Sequence, residues 1–479
     1  MDSKLSCISF QTNEGHSYIM SQTYDQFFYL HPIVYYFYIH NIEQKNDITP
    51  DNLIYPIEIG GQEYNQTSVE YYYNKFQFFN KQKIFSSIQR EALYKKKINT
   101  LEAITAVTET EQLAIELIQN CNLKCQYCLY GDIYKTKFKH HVIEFDKLKA
   151  ILDFLADYWS QRKRNSRKIR INYYGGEPLL KFDVIVRTTE YLKSISKKID
   201  LEFEFGLTTN GVLLDDKKIQ YFVENNFFIA ISLDGNKANN SYRVYKKTGD
   251  EVYDDVIQNV EQIKKYDSNY FINNVHFISV LHNRNSIDDI NNFFKGNYEK
   301  NHRQYGALNK IDVKPEKQQE FDSMYVGISN DADFKIGSRK FNLIREKDKL
   351  NKHYTSFKKN LISKRSYRLY TGTCIPLQKK IFITADYNLM PCERISFDVN
   401  FGNLYENGKH PHINWAKIIK VHNTQLSSVT QQCAKCYYNS LCSTCIYTFK
   451  KDKHGKPICD SFMNKLSMQK YLKEIFSLI

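Results

Sequence analysis

The stretch LAIELIQNCNLKCQYC, residues 113–128, decides the fold, because an apolar strand runs directly into a loop that holds three cysteines. The run LAIELI is typical of a buried strand. Cys121, Cys125 and Cys128 follow it with the spacing C-x3-C-x2-C, and no fourth cysteine stands nearby. A structural zinc site takes four protein ligands, usually as two close pairs. The odd set therefore favours a [4Fe–4S] cluster, in which three thiolates leave one iron open to a small molecule.

Further apolar runs continue the strand pattern along the chain. The predicted strands are residues 113–118, 168–174, 202–207, 227–233, 275–281 and 310–313. The predicted helices between them are residues 144–162, 181–197, 215–225 and 252–265. Strands and helices in alternation predict an α/β fold with a parallel sheet and helices outside it, either an open sheet or a partial (β/α)6 barrel.

Unusual short motifs follow four of these strands. CNLKCQYC comes after the first strand, GGEP (175–178) after the second, TTNG (208–211) after the third and DG (234–235) after the fourth. Parallel strands bring their carboxyl ends to one edge of the sheet, where α/β enzymes place their active sites. The sequence therefore predicts one active site built from these four segments.

The cysteine spacing and the GGEP motif together resemble the radical S-adenosylmethionine (SAM) superfamily, whose cysteine motif carries an aromatic residue before the last cysteine, here Tyr127. The resemblance implies a TIM-like partial (β/α)6 barrel. It also implies that the open iron chelates the amino and carboxylate groups of SAM. One electron from the cluster then releases a 5′-deoxyadenosyl radical, which takes a hydrogen atom from the substrate. The alternative is a cysteine-rich loop without a cluster.

The same resemblance implies a set of contacts to SAM at the strand ends. Tyr127 is expected near the adenine and Arg243 near the carboxylate. The glycines of GGEP have no Cβ, so their backbone can approach a ligand closely, and their carbonyls or Glu177 can receive the SAM ammonium. The expected SAM-binding residues are Tyr127, Gly175, Gly176, Glu177, Asn210, Ser232 and Arg243.

A second group of seven cysteines lies between residues 374 and 459. Taken alone, CAKCYYNSLCSTC (433–445) would suit a zinc ribbon, because two C-x2-C pairs form a tetrahedral set. Seven cysteines exceed what one zinc ion uses, however. The arrangement is similar to the SPASM extension of radical SAM enzymes that modify peptides, which has a separated pair, a C-x2-C-x5-C-x3-C run and a distal cysteine.

The SPASM resemblance implies two auxiliary [4Fe–4S] clusters. The implied ligand sets are Cys433, Cys436, Cys442 and Cys459 for one cluster, and Cys374, Cys392 and Cys445, with no evident fourth thiolate, for the other. This chain departs from the pattern in having two residues between Cys442 and Cys445 and a long gap between Cys374 and Cys392. The departures bear most on the assignment of Cys442 and Cys445.

These patterns predict four consecutive domains. They are a small α+β domain over 1–105, the radical SAM barrel over 106–320, a helical connecting segment over 321–369, and a SPASM domain with a closing helix over 370–479. The first domain should contain a hairpin of SCISF and HSYIM and a helix over 66–82, on which Val69, Tyr72, Tyr73, Phe76 and Phe79 form one apolar stripe. In related peptide maturases, a winged-helix-like domain in this place binds the leader peptide as an added strand. The alternative is a domain that only braces the barrel.

The resemblance favours a maturase that abstracts a hydrogen atom from a ribosomally made precursor peptide and closes a thioether or carbon–carbon crosslink. One alternative is an anaerobic sulfatase-maturating enzyme that forms formylglycine, in which Glu393, directly after Cys392, would be the catalytic base. As a structural residue, Glu393 would instead pair with surrounding charges. An alternative of another class is a zinc protein that binds nucleic acid without catalysis.

Composition limits the partners and the cellular location. The formal net charge of +14 is dispersed along all 479 residues, which favours a solvated lysine-rich surface or an acidic peptide partner over nucleic acid. The most apolar run, FFYLHPIVYYFYI (27–39), is too short to span a membrane, and the first residues lack a secretion signal. We therefore expect a cytoplasmic protein with reduced cysteines and an external flavodoxin-like or ferredoxin-like electron donor.

Overall fold

The computed structural model describes residues 4–89, 97–135, 138–163, 168–302, 304–309, 312–325, 371, 373–442, 444–452 and 454–477. The chain forms two compact units. The first contains Met1–Lys97, Leu343–Thr373 and Gln425–Ile479, and the second contains Ile98–Asn342 and Cys374–Thr424. These units differ from the four consecutive domains predicted above, because segments far apart in the sequence share a core.

The described elements have the following bounds. The strands are β1 (Lys4–Leu5), β2 (Ile8–Gln11), β3 (Ser17–Ser21), β4 (Gln26–Leu30), β5 (Ile57–Ile59), β6 (Gln62–Tyr64), β7 (Ile88–Gln89), β8 (Gln112–Ile118), β9 (Lys168–Gly175), β10 (Glu202–Thr209), β11 (Phe228–Ser232), β12 (Val275–Leu281), β13 (Tyr305–Ala307), β14 (Ile381–Ile383), β15 (Leu389–Met390), β16 (Lys450–Lys451) and β17 (Pro457–Ile458). The α-helices are α1 (Pro32–Phe37), α2 (Gln66–Lys81), α3 (Thr100–Thr108), α4 (Phe145–Trp159), α5 (Phe182–Ile199), α6 (Asp216–Glu224), α7 (Tyr253–Tyr266), α8 (Ser268–Asn274), α9 (Ile287–Tyr298), α10 (Gln318–Met324), α11 (Trp415–Ala434) and α12 (Lys465–Phe476).

The second unit is built on an eight-stranded sheet with the order β13-β12-β11-β10-β9-β8-β14-β15. Strands β8 to β13 lie side by side in chain order, and each pairs in parallel with the next. Helices α4 to α9 connect them, which confirms the predicted α/β fold with a parallel sheet. A sequential order of parallel strands is the arrangement of a singly wound (β/α) barrel. All carboxyl ends of these strands therefore reach one edge.

Local sequence explains where these elements begin and which faces they bury. Asn65, Asp215 and Ser286 each accept a backbone N–H of the first helical turn, at 2.9, 2.9 and 3.1 Å, and start α2, α6 and α9. Strand β9 buries Ile169, Ile171 and Tyr173 on alternate positions, as a pleated strand requires. The predicted helices and the first five predicted strands agree with the structure to within three residues at each end.

The sixth predicted strand, 310–313, is wrong. The sixth strand is β13, which pairs Tyr305 with Ser279 and Ala307 with Leu281. Val313 instead forms an isolated bridge with Tyr134, while residues 310 and 311 lie outside the described residues. A three-residue strand with a central glycine has too little apolar periodicity to be found in the sequence. Of the predicted connecting segment 321–369, all but residues 321–325 lies outside the described residues.

In the first unit, the amino-terminal sheet and the carboxyl-terminal segment share one hydrophobic core. Strands β2, β3 and β4 form an antiparallel sheet, and the predicted hairpin is confirmed by the pairing of Ile8 with Met20. The backbone N–H of Ser6 donates to the Tyr437 hydroxyl at 3.2 Å. The shared core contains Leu5, Ile8, Phe10, Met20, Cys436, Tyr437, Tyr438, Leu441, Met468, Leu472 and Ile475. Burial of each such apolar side chain stabilises the unit by about 1.5–3 kcal/mol.

A second core of the first unit lies between the sheet and the helices α1 and α2. The apolar stripe predicted on α2 is confirmed, since Val69 and Phe76 are buried in this core and Tyr72, Tyr73 and Phe79 pack against it. The isolated Cys7 belongs to the same core. Its thiol donates to the Ile84 carbonyl at 3.1 Å, and burial raises its pKa to about 11. Within the described part of the chain, no helix combines the length and the apolar character needed to cross a bilayer.

Candidate active site

The three-cysteine loop begins where β8 ends, and a second loop fixes its backbone. The N–H groups of Lys124 and Gln126 donate to the carbonyls of Val244 and Tyr242 at 2.8 and 3.1 Å. The N–H of Lys246 donates to the carbonyl of Asn122 at 2.9 Å. The cysteine loop is therefore paired as a short ladder with residues 242–246, which follow β11, and its conformation depends on the neighbouring strands.

The thiols of Cys121, Cys125 and Cys128 lie near one another. Every pair among them interacts electrostatically, and burial raises their pKa values to about 12, 12 and 11. The Cys121 sulfur accepts the N–H of Leu123 at 3.3 Å and the side-chain amide of Asn210 at 3.6 Å. Buried thiols become thiolates most readily when a metal takes the place of their protons. Three converging thiols at the end of the first parallel strand fit a [4Fe–4S] cluster with one open iron.

Gly175 and Gly176 allow the chain to approach itself closely at this edge, and the expected approach of their backbone to SAM stays a prediction. A Cβ on Gly176 would lie 2.2 Å from the Asn120 carbonyl oxygen, and one on Gly175 would lie 2.4 Å from the Ile118 oxygen. Gly175 also has φ of +135°, which side chains disfavour. The N–H groups of Gly176 and Glu177 donate to Ile118 and Asn120 at 2.8 and 3.0 Å. The glycines therefore hold the end of β9 against the entrance of the cysteine loop.

Glu177 is fully buried, and its carboxylate is hydrogen-bonded to other residues of the protein. Its carboxylate accepts the N–H of Leu179 at 3.0 Å, the hydroxyl of Thr209 at 2.8 Å and the N–H of Asn210 at 2.7 Å. Burial raises its pKa to about 7, although the three donors oppose that rise. Glu177 thus ties the end of β9 to the end of β10, a role that sequence reasoning missed. Its contact with a SAM ammonium stays a prediction.

Asn210 and Ser232 stand at strand ends, as predicted. The Asn210 side-chain amide donates to the Asn122 side chain at 2.8 Å, and its oxygen accepts the N–H of Val212 at 3.0 Å. Asn210 therefore contacts the cysteine loop directly. Ser232 is the last residue of β11 and lies opposite Ile278 of β12. Contacts of both residues with SAM stay predictions.

Tyr127 and Arg243 meet at Asp234, which sequence reasoning noticed only as part of a DG turn. Arg243 donates to the two Asp234 oxygens from Nε at 2.9 Å and from Nη2 at 3.1 Å. The Tyr127 hydroxyl also donates to Asp234. Burial acts to raise the pKa of Asp234, but Arg243 and the hydrogen-bond donors outweigh it and hold that pKa well below its usual range. Both predicted SAM-binding side chains are thus anchored on one buried carboxylate.

A third buried carboxylate, Glu116, links the cysteine loop to the β14–β15 turn. It lies on β8, is fully buried, and accepts the hydroxyl of Tyr130, the N–H of Ala385 at 2.8 Å and the Gln119 side chain at 3.2 Å. Burial raises its pKa. The sequence contained a signal for these contacts, because Glu116 is a single acidic residue in an otherwise apolar strand. A carboxylate buried in a strand needs hydrogen-bond partners.

Glu393 forms an ion pair with Lys380, as expected if it pairs with surrounding charges. The Lys380 ammonium lies 2.7 and 2.8 Å from its two oxygens, whereas Arg394 lies 3.8 Å away and is exposed. Burial acts to raise the pKa of Glu393, but Lys380 outweighs it and lowers that pKa. Tyr174, near the end of β9, lies within electrostatic reach of both Glu393 and Cys128. Glu393 and the three-cysteine loop therefore both lie close to Tyr174.

The four cysteines predicted to hold one auxiliary cluster come together in the first unit. The Cys433 thiol interacts electrostatically with Cys436, Cys442 and Cys459, and burial raises its pKa to about 12. The Cys459 thiol interacts with Cys442 and Cys436, and burial raises its pKa to about 11. Four thiols that lie this close to one another suit a cluster. Among the described residues, no three His, Cys, Asp or Glu side chains are arranged to hold a single metal ion.

The other predicted set is divided between the two units. Cys374, which is exposed, and Cys392, which is half-buried, belong to the second unit, whereas Cys445 belongs to the first. The Cys392 sulfur accepts the N–H of Arg394 at 3.4 Å. Their grouping around one cluster stays a prediction.

A sequential parallel sheet whose first strand ends in three converging thiols is the architecture of a radical SAM domain. Residues 115–295 match the model of the Radical SAM superfamily. Residues 115–295 therefore form a radical SAM domain, as the sequence predicted, and such domains belong to enzymes that use a [4Fe–4S] cluster and SAM as cofactors.

Two curated relatives and one solved structure illustrate the similarity. The radical SAM cyclopropyl synthase TigE of Paramaledivibacter caminithermalis is 27% identical over 274 residues, which are 55% of this chain and 53% of that protein. The cysteine-type anaerobic sulfatase-maturating enzyme of Clostridium novyi is 28% identical over 183 residues, which are 37% and 45%. The chain spans about half the length of these relatives. The structure of native anSMEcpe with bound AdoMet and Cp18Cys peptide is 18% identical, with a TM-score of 0.49 over 77% of this chain and 96% of that one.

Proposed function

We propose that this enzyme is a maturase of a ribosomally synthesised precursor peptide, in which it installs a thioether or carbon–carbon crosslink. The observation that carries the proposal is the composition of the first unit. Its amino-terminal sheet and the segment with four converging cysteines share one core, and the same chain also contains a radical SAM domain. A radical SAM enzyme acting on a small molecule has no evident need for either part. The names of the two relatives, a cyclopropyl synthase and a sulfatase-maturating enzyme, support the proposal.

Different residues of the second unit would have different roles at the radical site. When bound, the [4Fe–4S] cluster and SAM together supply a 5′-deoxyadenosyl radical that removes a hydrogen atom from a carbon of the substrate. Cys121, Cys125 and Cys128 would hold that cluster. Glu177 keeps the ends of β9 and β10 together, and Asn210 contacts the cysteine loop. Because hydrogen transfer tolerates little misplacement, these buried contacts would keep the reacting atoms in register.

The carboxyl-terminal cysteines would hold auxiliary clusters. Cys433, Cys436, Cys442 and Cys459 would form one [4Fe–4S] site, and Cys374, Cys392 and Cys445 the thiolates of another. An auxiliary cluster near a radical site can accept the electron left after hydrogen abstraction, and one with an open iron can bind the substrate. Elemental analysis provides a direct test, since about twelve iron atoms per chain correspond to three such clusters.

The amino-terminal sheet offers one open edge for a leader peptide. At the β2 edge, the Gln469 side chain donates to the Ser9 carbonyl at 2.9 Å, and the ring of Phe10 lies 5.0 Å from that of Phe476. At the opposite edge, β4 pairs only with β3 among the described residues. Tyr29 on β4 is 59% exposed. An extended leader would add to β4 as a fourth strand, with backbone hydrogen bonds supplying affinity.

The test of function is anaerobic co-expression of the full chain with a small peptide encoded beside its gene, followed by mass spectrometry. A crosslink removes two hydrogens, about 2 Da per bond formed, because both joined atoms lose one hydrogen. An unmodified peptide would contradict the maturase proposal if the purified enzyme cleaves SAM under the same conditions. Replacement of the exposed Tyr29 of β4 by Ala would test the leader site through peptide affinity.

A second candidate function is sulfatase maturation, which Glu393 favours. That reaction needs a base beside the residue being oxidised, and the Lys380 ion pair holds Glu393 as a carboxylate near Tyr174 and the cysteine loop. Incubation with a peptide that carries a sulfatase motif distinguishes the two functions. A hydrazide-reactive aldehyde on that peptide would support sulfatase maturation, and its absence would favour the crosslinking maturase.

A further inference from the structure

Three segments of the second unit meet at the carboxylate of Asp234, which is fully buried. Tyr127 comes from the cysteine loop, Arg243 from the segment paired with that loop, and Val280 and His282 from the end of β12. The Val280 N–H donates to Asp234 Oδ1 at 2.8 Å, and His282 Nε2 lies 3.8 Å from Oδ2. The ring of Tyr127 is stacked on that of His282, with centroids 5.6 Å apart. One side chain therefore joins the cysteine loop to two neighbouring strand ends.

The geometry of the Arg243 pair leaves part of its guanidinium for another anion. Arginine has five N–H groups, and Asp234 takes one from Nε and one from Nη2. This side-on pairing leaves three N–H groups, two on Nη1 and one on Nη2, and the end edge of the guanidinium presents one from each of these nitrogens. A carboxylate can bind that edge through two parallel hydrogen bonds. Without Asp234, the guanidinium would be a buried charge with no partner on its Nε side, and it would adopt another orientation or draw water in.

The same carboxylate determines the position of the cysteine loop. Tyr127 lies between Cys125 and Cys128 in sequence, and its hydroxyl donates to Asp234. The Cys125 thiol itself lies within electrostatic reach of both Asp234 and Arg243. The Arg243 guanidinium also lies 5.5 Å from the centre of the Tyr127 ring. A change at Asp234 therefore alters the surroundings of a cluster ligand without removing any ligand.

We propose that Asp234 is the positioning residue of the SAM site. It orients Arg243 so that the remaining N–H groups of the guanidinium meet the carboxylate of SAM, and it fixes Tyr127 so that the cysteine loop keeps its shape. The inference rests on SAM binding by the radical SAM domain and is independent of which peptide the enzyme modifies.

The first test compares Asp234→Asn with Asp254→Asn in the anaerobically reconstituted full chain. Asp254 is a suitable control, because its carboxylate is paired with Lys237 but is 75% exposed. We expect Asp234→Asn to retain its iron and to raise the Kd of SAM at least tenfold, measured calorimetrically without reductant. We also expect the change that SAM induces in the electron paramagnetic resonance spectrum of the reduced cluster to be diminished. Asp254→Asn should match the parent in both measurements.

A double-mutant cycle separates positioning from general stabilisation. If Asp234 acts through Arg243, then Asp234→Asn should weaken SAM binding much less in an Arg243→Met background than in the parent. The double variant also removes both buried charges, so it should fold even if Asp234→Asn alone does not. If Asp234→Asn alone does not fold, Asp234→Glu takes its place in the test. This variant keeps the charge, moves it by one methylene and should still weaken SAM binding. A folded, iron-loaded Asp234→Asn or Asp234→Glu variant with the parent Kd for SAM, or fully additive effects in the cycle, would overturn the proposal.

Discussion

The carboxylate of Glu177 accepts the backbone N–H of Asn210 at 2.7 Å and thereby joins the ends of two adjacent parallel strands. Asn210 in turn extends its side-chain amide to Cys121 and Asn122 of the cysteine loop. The acidic residue of the GGEP motif is thus connected through one intervening residue to Cys121, a predicted cluster ligand. The motif acts here as a structural junction between the strand ends and the loop.

Replacement of Glu177 by Gln should destabilise this junction. The amide has one oxygen where the carboxylate has two, so one of its three buried donors loses its acceptor. We expect a loss of about 1–3 kcal/mol in the free energy of unfolding. The pKa of about 7 lies above that of an unfolded glutamate, so the folded parent binds the extra proton between about pH 4.5 and 7, and its stability falls as the pH rises through that window. The destabilisation caused by Glu177→Gln should therefore be larger at pH 5 than at pH 8, as measured by urea unfolding.

Replacement of Gly176 by Ala should prevent the cysteine loop from closing. The new Cβ would lie 2.2 Å from the backbone oxygen of Asn120. A backbone atom cannot move aside as the end of a flexible side chain can. We expect the purified variant to retain less than half of the parent iron in the radical SAM site, measured as absorbance near 400 nm together with iron content. Gly296→Ala in helix α9 is the matched control, since a Cβ there meets nothing within 4 Å. It should keep its iron and gain up to about 1 kcal/mol of stability. Equal iron in both variants would contradict the argument.

Replacement of Cys433 by Ala should remove one auxiliary cluster and leave the others in place. The expected result is a loss of about four iron atoms per chain, because Cys433 interacts with three other cysteines of one set. Cys7→Ala is the control, since that thiol is buried in another core and donates to a backbone carbonyl. If the wild-type chain contains one zinc ion that Cys433→Ala removes, the auxiliary cluster of this set is excluded and the zinc ribbon is correct.

The ion pair of Lys380 and Glu393 predicts a difference between SAM cleavage and product formation. If Glu393 is the base of a sulfatase-type reaction, Glu393→Gln should still form 5′-deoxyadenosine but lose at least a hundredfold in aldehyde product, because proton removal follows hydrogen abstraction. Both products can be measured in one chromatographic assay. Lys380→Met tests whether the ion pair stabilises the fold. The variant leaves the partly buried Glu393 carboxylate without its cation, so its melting temperature should be lower than that of the parent. Parallel losses of both products in Glu393→Gln would instead identify Glu393 as structural.

Two buried histidines predict acid lability of the second unit. Burial lowers the pKa values of His302 and His422 to about 4, below the value of about 6.5 expected in an unfolded chain. The unfolded chain therefore binds more protons below pH 6.5, and stability present above that pH is lost as the pH falls towards 4. The largest contribution is about 3 kcal/mol per histidine. His302→Phe, which keeps a ring stacked on Phe294, should reduce the slope of stability against pH in urea unfolding. An unchanged slope would contradict the assignment.

The sequence by itself determined the class of the protein, because its signals are local. The strand LAIELI, the spacing of Cys121, Cys125 and Cys128 and the GGEP motif each occupy a short stretch, and parallel strands place such stretches at one edge by a general rule. The same reasoning found the amino-terminal hairpin, the stripe on α2 and the set around Cys433. It failed for β13, because three residues carry no periodicity.

Only the tertiary structure decided how the side chains of the site act. Tyr127 and Asp234 lie 107 residues apart, and their contact depends on how the cysteine loop pairs with residues 242–246. The sharing of a core between the amino-terminal sheet and α12 likewise joins segments more than 400 residues apart. Burial then sets the pKa values and the electrostatic partners, because the strength of a charge interaction depends on the surroundings that folding creates. The pattern of residues indicates which groups reach an active site, and packing determines what each of them contacts there.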